Sequence, residues 1–318
     1  MKFRFIAALA ALLSVSELTS AQSHAHEFGF QSDNDSFLAQ GSDRYYTNGL
    51  FIFYRQALST TGNTKLANKV LGLEVGQKMF NPISGSVPNA SFVDRPFAAY
   101  LYAGANLNLL YKNESNLKLS AQTGMIGPAA LGKQVQNIIH DTFGFYTLNG
   151  WQYQIRNNFQ LNLSAEYNRL LARTSWIDIS ASAYGNIGTG FNGAGVGPLV
   201  RIGDFNQLFN SVSTQSTSTR NATTPLHNRE LFAYYKPQFN YVAYDATVEG
   251  GLFQDNQPGG PEIRSTPNRA VLSQQVGVAY GGKRWIIDLA AVFHTRDVKT
   301  QTFSTHQWGS ATVLYRFN

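Results

Sequence analysis

Apolar and polar residues alternate with a period of two along most of the chain. Val242, Tyr244, Ala246 and Val248 alternate with Ala243, Asp245, Thr247 and Glu249, and Leu272, Val276, Val278 and Tyr280 alternate with Ser273, Gln275, Gly277 and Ala279. Near the C-terminal end Ala311, Val313, Tyr315 and Phe317 stand opposite Ser310, Thr312, Leu314 and Arg316. Comparable runs fall near 27–33, 47–57, 69–79, 97–111, 116–126, 158–169, 175–187, 195–203, 230–249 and 284–296. Side chains on a strand point alternately to its two faces, so each run reads as a strand with one apolar and one polar side. The pattern predicts about twelve strands, an even number as bacterial single-chain barrels have. A soluble sandwich would also alternate, but it explains less well why nearly every strand carries a polar second face. The expected fold class is all-β: a transmembrane antiparallel β-barrel with a short helix in an extracellular loop.

One segment breaks the period. From Gly127 to Asp141, Leu131, Val135, Ile138 and Ile139 recur at the spacing of an apolar helical stripe. Pro128 suits a first helical turn, where its missing N–H would have no partner anyway. Gln136 and His140, one turn apart, project together from a different face.

Connection lengths predict the topology. If the first strand rises from the periplasm, 33–46, 80–95, 127–157, 188–194, 250–269 and 297–305 lie outside. The short turns at Lys112–Ser115 and Gly281–Lys283 lie inside, as is usual for such barrels. The Ser/Thr/Asn-rich stretch 204–228 then becomes a long periplasmic connection, for which the pattern offers no reason.

Composition fits this picture. Charged residues make up 14% and aromatics 13%, while mean hydropathy is −0.22, because outward and inward positions cancel in any average. Met1-Lys-Phe-Arg, the apolar run Phe5–Val15 and the small residues Thr19-Ser-Ala21 read as an export signal over 1–21, leaving the barrel and a rim active site to 22–318. Without that segment 23 Lys+Arg stand against 18 Asp+Glu, an excess that suits a phosphorylated glycolipid and does not imply nucleic acid. The chain has no cysteine, which excludes disulfides, thiolate nucleophiles and cysteine-bound metals.

Three polar clusters emerge at the outward rim in this register: Asp33-Asn-Asp-Ser36, Asp43-Arg-Tyr-Tyr-Thr-Asn-Gly49 and the Gln136/His140 helix. Each has a bland reading: loop chemistry, a hairpin tip and a solvated histidine. Their sharper reading rests on their converging.

Taken together, Asn34-Asp35-x-Phe37, Asp43-Arg-Tyr-Tyr-Thr-Asn-Gly49, Gly124 through His140 and Gly150-Trp-Gln-Tyr-Gln154 resemble the outer-membrane lipid A 3′-O-deacylase family (LpxR type) over residues 27–157. The resemblance implies a twelve-stranded barrel that hydrolyses the 3′-linked acyloxyacyl ester of lipid A with Ca²⁺. It further implies that His140 is the catalytic histidine and Gln136 its partner. Asn34 and Thr47 match further catalytic positions, and Asp35 with Asn34 would supply metal ligands. The implied partners are lipopolysaccharide and outer-membrane lipids, and the implied state is a monomer acting on the outer leaflet. One departure stands out. Some members carry a lysine in the second outer loop, whereas here Phe80-Asn-Pro82 leads into Ile83-Ser-Gly-Ser-Val-Pro88, with only Lys78 and Arg95 flanking. A serine-nucleophile phospholipase fits poorly, since His294 has no serine two residues away and Ser304-Thr-His306 falls in a loop tip. The stronger rival is a non-enzymatic barrel, a pore or an adhesion protein.

Overall fold

A computed structural model describes residues 24–39, 43–220, 224–255 and 260–318. The expected export signal 1–21 lies outside them. Among the described residues twelve strands form one closed antiparallel barrel: β1 (His26–Asn34), β2 (Tyr45–Ala57), β3 (Leu66–Asn81), β4 (Ala98–Tyr111), β5 (Ser115–Ile126), β6 (Asn158–Arg173), β7 (Ile177–Gly188), β8 (Phe191–Asp204), β9 (Glu230–Asp245), β10 (Ala270–Gly281), β11 (Trp285–Thr295) and β12 (Thr305–Phe317). Each strand pairs with its chain neighbours, and β1 closes the ring on β12 from His26↔Phe317 to Asn34↔Gly309. Closure leaves no unpaired edge, the condition for strands to cross a bilayer. Among the described residues no helix is long and apolar enough to do so.

Burial runs inside out. On β6 Phe159, Leu161 and Leu163 are more than half exposed on the outer surface, while the intervening Asn158, Gln160 and Asn162 are buried in the lumen. Lipid replaces water as the solvent of the outer face, so the apolar positions of the alternation point away from the centre. The interior is partly filled by side chains. Towards the outward end it is packed with Phe51, Phe53, Tyr100, Tyr102 and Ile126.

The inward end is closed by the β8–β9 connection, which accounts for the polar stretch at 204–228. Ser211, Thr214, Ser216, Thr217 and Ser218 are buried within the barrel. Asn68 on β3 donates to the carbonyls of Ser216 (3.1 Å) and Ser218 (2.8 Å), and Asn108 on β4 donates to that of Thr214 (2.8 Å). Arg201 on β8 forks onto Asp178 at 2.9 and 2.6 Å and also reaches Ser211. Glu230 at the start of β9 accepts from the Asn206 and Val212 N–H groups and the Ser211 hydroxyl. Serine, threonine and asparagine are needed here because each inward polar group must find a partner once water is excluded. The segment is a plug.

Other expectations need adjustment. The loop expected at 188–194 is a two-residue link between β7 and β8. The strand expected to run to 249 stops at Asp245, whose side chain accepts from Thr247 N and starts a helical turn over Ala246–Glu249. Asp33 and Asn34 close β1 rather than following it.

Candidate active site

The helix expected after Gly127 is present but starts later. Pro128–Ala130 form a separate 3₁₀ turn, Leu131 takes a left-handed conformation (φ 59°), and helix α1 spans Gly132–Phe143. It ends at Gly144, whose φ of 71° favours glycine and whose N–H caps the His140 carbonyl. Its buried face is Gly132, Gln136 and His140, at i, i+4 and i+8. The apolar stripe lies on a different face and is turned outward, with Ile138 65% exposed and Leu131 also exposed, while Val135 and Ile139 are half-buried. Such an orientation suits a barrel rim, where a polar face can meet the polar lumen and an apolar face lipid.

Gly132 makes that seating possible. A Cβ there would lie 2.4 Å from Ala99 Cβ and 2.6 Å from Trp151 Cη2, so only glycine lets α1 rest directly on β4. Trp151 is buried against Phe97, Met79 and Ala130, and its indole N–H donates to Gln136 Oε1 at 2.9 Å. The Gln136 amide nitrogen is buried without a hydrogen-bond partner.

His140 is 4% exposed, and both its ring nitrogens are placed. Nδ1 lies 2.7 Å from the Tyr146 carbonyl, an acceptor, so Nδ1 carries the proton. Nε2 faces Asp43 Oδ2 at 3.2 Å. Asp43 Oδ1 accepts from the Thr47 hydroxyl at 3.2 Å, and Asp43 also accepts from the Tyr146 hydroxyl. Burial raises the Tyr146 phenol well above its usual range, and this bond to Asp43 adds to the rise. The backbone here is held in left-handed conformations at Asp43 (φ 44°) and Tyr45 (φ 63°), unusual for residues with a side chain.

Asp35 completes the cluster. It is 3% exposed, and its Oδ2 accepts from Arg44 N at 3.2 Å. Burial, followed by the Asp43 charge, pushes its carboxyl up to about 7. The two carboxylates offer oxygen ligands of the kind a hard divalent cation takes, and such an ion would offset the charge that Asp43 places on Asp35. Asn34 stands beside them, but its side-chain oxygen is engaged by the backbone N–H (2.8 Å) and hydroxyl of Ser36.

Of the expected residues, His140 and Thr47 therefore meet through Asp43, and Asp35 lies within its field. Gln136 shares the buried helical face but contacts Trp151. Sequence reasoning placed Asp43 in a cluster without giving it a role, and it missed Tyr146. Asp43 is separated from Thr47 by the four-residue step that brings them together. Nothing in the local sequence marks Tyr146, which contributes its carbonyl. The flanking cations lie elsewhere: Lys78 lines the lumen, and Arg95 is buried on Thr247 and the Pro96 carbonyl.

The family described as outer membrane protein LpxR matches residues 5–317 of this sequence. The chain belongs to the LpxR family. It is thus an integral outer-membrane protein with a lipid A-modifying role. No protein with a curated description matches it. Among solved structures, LpxR from Salmonella typhimurium superimposes with a TM-score of 0.73 at 20% identity, covering 92% of this chain and 100% of that one, which shows the shared fold. The β-domain of the Bordetella autotransporter BrkA gives a TM-score of 0.44 at 11% identity, covering 94% and 99% of the two chains. The KdgM porin in complex with oligogalacturonate gives 0.40 at 7%, covering 92% and 99%.

Proposed function

We propose that this LpxR-family chain is a Ca²⁺-dependent esterase that removes the 3′-linked acyloxyacyl group of lipid A at the outer leaflet. The observation that carries the reading is His140, with Nδ1 fixed by a carbonyl and Nε2 facing Asp43 beside the buried Asp35. In this arrangement Nε2 is the proton-accepting nitrogen. It takes a proton from water as the water oxygen bonds to the ester carbon, and it returns that proton to the departing sugar oxygen when the ester C–O bond breaks. General-base catalysis of this kind contributes about 10²–10⁴-fold. Asp43 stabilises the imidazolium formed in between, and Thr47 orients Asp43. Gln136, held by Trp151, offers its free amide N–H groups to the substrate. The carboxylates of Asp35 and Asp43, with Asn34 through its backbone, would hold Ca²⁺. When bound it supplies positive charge for the developing oxyanion. The exposed Leu131, Ile138, Phe143 and Phe145 beside the site offer an apolar surface to the acyl chains. Every residue invoked comes from one chain, so a monomer suffices.

A passive pore is the competing reading, and the buried plug and the aromatic packing weigh against it. Mass spectrometry of lipid A from cells expressing the chain or its His140→Ala form tests the proposal. A 3′-acyloxyacyl mass should be lost only with the intact histidine. Unchanged lipid A, with the protein inserted and Ca²⁺ present, would overturn it.

A further inference from the structure

His294 and His306 face each other directly across the β11–β12 pair, and Asp297 follows His294 by three residues in the connecting loop. One ligand atom from each lies within 4.8 Å of the other two. His294 Nδ1 is 2.8 Å from Asp297 Oδ1, and His306 Nε2 is 3.6 Å from Asp297 Oδ2. Ligands bound to a tetrahedral ion at about 2.0–2.2 Å stand roughly 3.3 Å apart, so small side-chain adjustments suffice. The cluster is also rigid. Gln301 Oε1 accepts from the backbone N–H groups of Asp297 and Val298, and the Asp297 carbonyl accepts from Asn268 N. Trp308 stacks on His306 with ring centroids 5.5 Å apart.

We infer that His294, Asp297 and His306 form a second metal site, selective for a borderline divalent transition ion such as Zn²⁺. Two imidazoles and one carboxylate suit that class, whereas Ca²⁺ takes oxygen ligands throughout. The donor chemistry thereby separates this cluster from Asp35 and Asp43. It borders a luminal cavity of about 440 Å³ whose lining sets Asp33, Glu74 and Asp245 against Lys78 and Arg95. Arg95, whose Nε stands 3.9 Å from Asp297, opposes the ion and limits its affinity. Bound metal would clamp the tip of the β11–β12 hairpin, a loop that already reaches β2 through Phe303 N to the Tyr45 hydroxyl (3.0 Å).

The untagged full chain, stripped with chelator and folded in detergent with excess Ca²⁺, is titrated with Zn²⁺ by calorimetry and with Co²⁺ by visible absorption and proton NMR. One Zn²⁺ should bind, one Co²⁺ should bind in its place and be displaced by Zn²⁺, and the Co²⁺ form should show paramagnetically shifted signals from two imidazole rings. The His294→Ala/His306→Ala form, checked by heat-modifiable migration, should bind at least 100-fold more weakly, while His140→Ala should bind as the parent does. Equal binding by the folded double variant overturns the assignment. If that variant does not fold, the parent decides alone, because a Co²⁺ complex without two shifted imidazoles is equally fatal.

Discussion

Replacing Gly132 by alanine tests whether seating α1 on the barrel wall sets the reaction. The new methyl would stand 2.4 Å from Ala99 Cβ and 2.6 Å from the Trp151 ring, where carbon atoms normally keep about 3.8 Å. Neither neighbour can yield easily: Ala99 is part of β4, and Trp151 is wedged against Phe97 and bonded to Gln136. The helix must therefore lift by about 1 Å, a strain of about 1–3 kcal/mol. His140 rides on the same face two turns later and would withdraw from Asp43 by a similar distance. Misplacing a catalytic group by about 1 Å lowers turnover roughly 10²-fold. Deacylation of lipid A in mixed micelles, followed by mass spectrometry, gives the rate, and heat-modifiable migration confirms the barrel. Ala99→Gly in the same chain should recover part of the loss by removing the nearer contact. Undiminished turnover in Gly132→Ala, or no recovery in the double variant, would refute the argument from seating.

Chelating Ca²⁺ should abolish hydrolysis and added Ca²⁺ restore it, and turnover persisting in strong chelator would remove the metal from the mechanism. In chelator the folded protein keeps a proton on Asp35 up to about 7, whereas the unfolded chain releases it near 3.8. Its contribution therefore weakens the fold as pH rises across that interval; the thermal midpoint should fall between about pH 4 and 7 and level off above, and Asp35→Asn should flatten the fall. Trp151→Phe leaves the buried Gln136 oxygen without its donor, costing about 1–3 kcal/mol, which hydrogen exchange should report as faster opening of α1. In planar bilayers the intact chain should pass no steady current, whereas a form lacking residues 206–220 should conduct.

How much of this could be read from sequence depends on how far each signal reaches. Alternation is local, so all twelve strands were legible, with adjustments at their ends: where Asp33 and Asn34 close β1, where Asp245 caps a helical turn and where β7 and β8 meet in two residues. The helix was legible too, but not its orientation. Periodicity separates the Ile138 stripe from the His140 face without saying which one meets lipid. The plug was hidden because its partners lie far away in the chain: Asn68 and Asn108 bind residues more than a hundred positions later. Asp43 needed the fold to bring it to His140, and the pairing of His294 with His306 needed the strand register.

Thr217 has a place in the plug that bears on assembly. Its hydroxyl donates to Glu27 on β1 at 2.7 Å, and its carbonyl accepts from Arg316 on β12 at 3.2 Å. Next to it, Thr219 N donates to the His24 carbonyl. These are the two strands whose pairing closes the ring, and they lie at opposite ends of the chain. Bringing such distant segments together carries a chain-entropy cost that grows with the loop between them. A plug anchored on β3, β4 and β8 thus ties both terminal strands to the same segment within the lumen, and a barrel that closed without it would leave Glu27 and Arg316 short of these partners.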